Sequence, residues 1–64
     1  MKGKVKFYVA NRGYGFIIGE DKQDYFFHIK NLEQENIVPT QGDELTFNPK
    51  KTERGMSAFN IVII

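Results

Sequence analysis

Turn-forming residues interrupt this chain at short intervals, so that most of the segments between them hold about ten residues or fewer. Breaks fall at Asn11-Arg12-Gly13, Gly19-Glu20-Asp21-Lys22, Pro39-Thr40-Gln41-Gly42-Asp43, and from Asn48-Pro49 to Gly55. Between them lie runs rich in Val, Ile, Phe and Tyr, which predict five strands at about 3–10, 14–19, 24–29, 43–49 and 56–63. The longest connection, 30–38, carries Leu32, Ile37 and Val38 among acids and amides. It supports at most one short helical turn. Five short strands in 64 residues point to one all-β domain spanning 1–64 and closed into a barrel, because closure removes the unpaired edges that invite aggregation. A five-stranded antiparallel Greek-key barrel of the OB type fits. An SH3-like barrel has a similar strand count, and periodicity alone does not separate the two.

Composition narrows the function classes. There is no cysteine and a single histidine, His28, so neither a disulfide framework nor a cysteine–histidine zinc site can be built. The same scarcity leaves no nucleophile–base pair, and no carboxylate position stands out as catalytic, so an enzyme is not expected. No phosphate-cradling loop or other cofactor motif is present. Apolar runs fall far short of the roughly 20 residues that span a bilayer, and the strand-like start after Met1 does not read as a signal peptide. The absence of cysteine fits a reducing, cytoplasmic setting; no membrane association and no small-molecule cofactor are expected, and a monomer is the expected state. Net charge is only +1, yet residues 1–19 hold Lys2, Lys4, Lys6 and Arg12 and no acid, which can create a local basic patch.

Strand alternation carries the argument further. Along 14–19, Tyr14 and Phe16 share one face and Ile17 takes the other; along 24–29, Phe26 and His28 oppose Tyr25, Phe27 and Ile29. Rings thus occupy both faces of the third strand, where an ordinary half-buried strand has a polar exterior. His28 is the polar member and belongs outside, taking Phe26 with it, while Ile17 and Phe27 suit the core. If the two strands pair through the turn at 19–22, Tyr14, Phe16, Phe26 and His28 form one outward patch. Such patches mark ligand or partner sites. Gly13 permits the turn into the strand, and Gly15 permits close approach or a bend in the barrel wall. Rings flanked by Lys4, Lys6, Arg12 and Lys30 suit single-stranded nucleic acid, whose bases stack on aromatic faces while cations follow the phosphates. Duplexes hide their base faces and should bind poorly. A barrel gripping a peptide with its aromatic face is the alternative.

Four segments resemble one family. Arg12-Gly13-Tyr14-Gly15-Phe16-Ile17 and Asp24-Tyr25-Phe26-Phe27-His28-Ile29 are similar to the two ribonucleoprotein motifs of cold-shock domains. Gly3-Lys4-Val5-Lys6-Phe7-Tyr8 resembles that family's opening segment, and Arg54-Gly55-Met56-Ser57-Ala58-Phe59-Asn60-Ile61 its closing one. The resemblance spans the chain in the family's order. It implies an OB-type barrel binding single-stranded RNA or DNA of about six or seven nucleotides, acting as an RNA chaperone and regulator of transcription and translation in stress. It also implicates Lys6, Phe7, Tyr14, Phe16, Phe26 and His28. Phe7 has the parity of core-like Val5, so a bulge or bend in the first strand is required. This chain also departs from the family. Phe7 stands for the family's tryptophan, Ile29 and Ile37 replace aromatic residues, and the 30–38 connection is one residue shorter. Weaker binding or altered base preference is expected. Phe59 replaces a small residue, so the last strand must pack differently.

Overall fold

The computed structural model describes all of residues 1–64. Its strands are β1 (Lys2–Val9), β2 (Tyr14–Gly19), β3 (Asp24–His28), β4 (Glu44–Thr52) and β5 (Gly55–Ile63). They close into a barrel in the order β1-β2-β3-β5-β4. Four of the five seams are antiparallel. The fifth, β3 against β5, is parallel through Phe26 and Ser57, so the barrel is mixed rather than wholly antiparallel as the sequence suggested. The reason is topological: the chain crosses the barrel end between β3 and β4, and β5 returns beside β3 in the same direction. A single 3-10 turn, Ile29–Asn31, begins that crossing. The segment after it is stapled to β5: the Glu33 amide donates to the Ile61 carbonyl (2.8 Å). The Gln34 side chain accepts from the Ile63 amide (2.7 Å) and donates to its carbonyl (2.9 Å).

β4 continues three residues beyond its expected end. Pro49 pairs with Ala58 and Lys51 with Met56, so Asn48-Pro49 is strand and the turn lies at Glu53-Arg54. Proline cannot donate to a ladder, but an exposed strand position tolerates it.

In β2 and β3 the core follows the predicted alternation. Ile17 of β2, Tyr25 and Phe27 of β3, Leu45 and Phe47 of β4, and Ala58 and Ile61 of β5 close around Val5. Tyr8 of β1 stacks on Phe27 at 6.0 Å between centroids, and Tyr25 tilts against Phe47 at 4.9 Å. Buried Tyr25 keeps its hydroxyl satisfied by donating to Asp21 in the β2–β3 turn. Every buried side-chain nitrogen and oxygen has a partner. Gly15 is indispensable here: a Cβ would collide with the Phe7 carbonyl and lie 2.9 Å from both the Phe27 ring and the Tyr8 Cα.

Candidate nucleic-acid interface

Pairing of β2 with β3 sets the first row of rings. Tyr14 lies opposite His28, and Phe16 opposite Phe26. Tyr14 stacks on Phe26 at 5.8 Å and 28°, and Phe26 meets Phe16 edge-on at 5.8 Å and 76°. Both arrangements fall within the preferred range for ring pairs. All four side chains are half-buried and face outward, while Ile17, Tyr25 and Phe27 face the core.

Phe7 joins them through the bulge its parity demands. Val5 pairs with Ile17 and Phe7 with Phe16, so Lys6 is an extra residue in β1. Val5 then points inward while Lys6 and Phe7 are both exposed. The Phe7 ring, 42% exposed, packs 5.3 Å from Phe16. The part of the row carried by Phe7, Phe16, Phe26 and Tyr14 is therefore continuous across β1, β2 and β3.

His28 ends β3 and caps the 3-10 turn. Its Nδ1 accepts from the Lys30 amide (3.1 Å), and its own amide donates to Asn31 Oδ1 (3.1 Å). The ring is thereby fixed with Nε2 left free.

The cations divide. Arg12 is exposed in the β1–β2 turn, Lys30 is exposed in the 3-10 turn, and Lys4 lies between Ile18 and Glu44 on the neighbouring strands. Lys6 is engaged: its Nζ is 2.9 Å from Asp24 Oδ2, the molecule's one ion pair, with both side chains about half exposed. Ile37 is 37% exposed in the crossing segment, and no pairing or ring contact ties it to the row. Ile29 is half-buried beside Gly13 and offers no ring.

No binding role was expected for three residues that stand here. Arg54 lays its guanidinium over Phe26, 4.8 Å from the centroid. Phe59 stands on the same outward side of β5 under Lys50, whose Nζ is 5.8 Å from the ring centroid. The signal was available in the Arg54-Gly55 turn and in the shared parity of Ser57 and Phe59. However, strand pairing through Pro49 was needed to bring Lys50 opposite Ser57. The Phe59 ring lies outside the core cluster.

Fold and face together define an OB-type barrel bearing an aromatic, cation-flanked surface. A family model described as the 'Cold-shock' DNA-binding domain matches residues 1–64. Cold shock protein 1 of Lactiplantibacillus plantarum is 38% identical over 61 residues, covering 94% of this chain and 92% of that protein. Cold shock protein CspB of Bacillus caldolyticus is 36% identical over 62 residues, covering 95% and 94%. The solved structure of drosophila Unr CSD456 superposes with a TM-score of 0.83 at 22% identity. It covers 98% of this chain and 26% of that longer one, a likeness of fold. The chain belongs to the cold-shock domain family, a nucleic-acid-binding and non-catalytic family. No helix is long and apolar enough to cross a membrane.

Proposed function

We propose that this chain binds single-stranded RNA or DNA, with little sequence preference, by stacking bases on the outward rings. The observation that carries this reading is the unbroken row Phe7–Phe16–Phe26–Tyr14, held outside a core that has its own separate set of rings. Every nucleobase has a π-face, so such a row accepts any base at about 1–3 kcal/mol each. His28 extends the row beside Tyr14. Lys4, Lys6, Arg12 and Lys30 neutralise phosphates, and Ile37 offers an apolar contact from the crossing segment. Because an isolated strand exposes base faces and a duplex does not, binding draws hairpins toward their open form by mass action. That is the action of an RNA chaperone in the cytoplasm, working as a monomer without cofactor or ATP and so able to influence transcription and translation under stress.

Fluorescence anisotropy tests this with a labelled thymine-rich strand of about seven nucleotides and a matching duplex, each at low and moderate salt. The single strand is expected to bind, to weaken steeply with salt as counterions are released, and to outcompete the duplex. Equal binding of the duplex, or none of the single strand, would refute the proposal and turn attention to a peptide partner, whose apolar contacts are insensitive to salt.

A further inference from the structure

The outward surface does not stop at β3. Phe26 pairs in parallel with Ser57 of β5, and Ser57 pairs with Lys50 of β4, so the ring row runs onto a second face segment carrying Lys50, Thr52, Ser57 and Phe59. Between Phe26 and this segment lies a slot of about 350 Å³, lined by Phe26, Asn31, Thr52, Glu53, Arg54, Ser57 and Phe59, so one carboxylate stands among its walls. Its volume is at the lower end of ligand sites, which run from about 300 to 1,000 Å³.

Each wall has a chemical character. Phe26 and Phe59 supply two ring surfaces. Ser57 and Thr52 pair their hydroxyls at 2.9 Å on the floor, and Asn31 uses its side-chain oxygen on the His28 amide while its nitrogen donates to no protein group. Arg54 is held by its amide donating to Thr52 Oγ1 (3.2 Å), which sets the turn that carries the guanidinium over Phe26. Neither Arg54 nor Lys50 pairs with a carboxylate. Ring surface for a base plane, the Asn31 amide nitrogen for a base edge, and two cations outside any ion pair for phosphate stand at one place, continuous with the row already described.

We propose that Phe59, with Lys50 and Arg54, forms an added base subsite on β5, seating one further nucleotide of the same single strand. This rests on the nucleic-acid reading above. It gives physical meaning to the large residue at position 59: the chain lacks rings at Ile29 and Ile37 and carries an additional ring on β5. The bound strand is displaced toward β5, and its register on the protein differs from one that relies on the crossing segment.

A length series of thymine oligonucleotides, from about three to about nine residues to bracket the OB-fold site size, tests this with wild type, Phe59→Leu and Phe16→Leu. Leucine keeps the apolar bulk of a half-buried position and removes the π-face. Circular dichroism and melting curves confirm that each variant is folded. Wild-type affinity is expected to keep rising for one nucleotide beyond the length at which Phe59→Leu levels off. At the longest strands the two should differ by at least about fivefold, and at the shortest they should agree. Ring protons of Phe59 are expected to shift in NMR spectra only with the longer strands. If wild type binds and Phe16→Leu weakens it, but Phe59→Leu matches wild type at every length, the added subsite is refuted and the main row stands. Uniform weakening by Phe59→Leu across all lengths refutes it too, since the ring would then serve the row as a whole. Absence of wild-type binding at every length overturns both readings.

Discussion

Phe26 is central to the proposed binding surface and offers the sharpest test of it. Its ring touches Tyr14 and Phe16, lies under Arg54, and lines the slot shared with Phe59. Truncation to alanine confounds folding with binding. Two ring pairs at about 0.5–1.5 kcal/mol each and one cation–π contact at about 0.5–1 kcal/mol set the loss at up to about 4 kcal/mol. A domain of this size has only about 3–10 kcal/mol in total. Phe26→Leu is the better perturbation, because it retains apolar contact and loses only the flat π-surface. At least one stacked base is then lost, about 1–3 kcal/mol, which weakens single-strand affinity about 5- to 150-fold. The melting temperature should fall by less than about 8 °C for each kcal/mol of folding stability lost. Anisotropy titrations well below the variant's melting point separate the two effects. A folded Phe26→Leu protein that binds a single strand as tightly as wild type would refute stacking on this face.

Three further outcomes follow from the geometry. Asp24→Asn releases Lys6 from its ion pair and raises formal net charge from +1 to +2. Single-strand affinity should increase and the log–log salt slope steepen by about 0.7, with stability moving by less than about 1 kcal/mol because the pair is exposed; an unchanged slope would show that Lys6 does not reach phosphate. Gly15→Ala forces a Cβ against backbone at the Phe7 carbonyl, where nothing can swing aside, and should lower stability by about 1–3 kcal/mol or more in urea unfolding. The Tyr25 hydroxyl holds the Asp21 carboxyl below its ordinary value of 3.8. The stabilisation is therefore complete above that value and disappears as pH falls through the lowered folded value. The melting-temperature gap between wild type and Asp21→Asn should close in acid below about pH 3.8. The partner effect has the opposite sign. Asp21 raises the Tyr25 hydroxyl above its ordinary 10.0, so the stabilisation is also lost as pH climbs beyond that value.

Legibility in the sequence depended on how local each determinant is. The inward and outward sets of β2 and β3 were readable because both strands are regular and the polar His28 marks the outside. Phe7 was readable only as a contradiction. Its parity with Val5 holds for an unbroken ladder, and the structure resolves it by making Lys6 the extra residue of a bulge. The extension of β4 through Pro49 was hidden because proline usually ends a strand, and its acceptance here depends on the partner β5. The parallel seam was hidden too, being a property of how the chain crosses the barrel end. With that seam unseen, Arg54, Lys50 and Phe59 could not be joined to the rings of β3, although all three stand plainly in the sequence.

An exposed aromatic face is costly for so small a domain, and the arrangement of the rings reduces the cost. Tyr14, Phe16 and Phe26 cover one another and remain half-buried, leaving Phe7 as the one ring in the row above a third exposed. Their mutual contacts recover apolar burial that a flat, separated set would forfeit, and they hold each ring near one orientation before any ligand arrives. The core beneath is independent: Tyr25 packs on Phe47 and Phe27 on Tyr8, with no buried polar group unpaired. The core rings therefore pair among themselves and not with the outer row. A stacking surface fixed in advance loses little side-chain entropy on binding, so more of each base's stacking energy appears as affinity. The edge-to-face contact of Phe16 with Phe26 fits this role. It leaves the two rings steeply inclined to each other, so they present differently oriented surfaces, which on the proposed reading would suit a strand whose successive bases turn out of a regular stack.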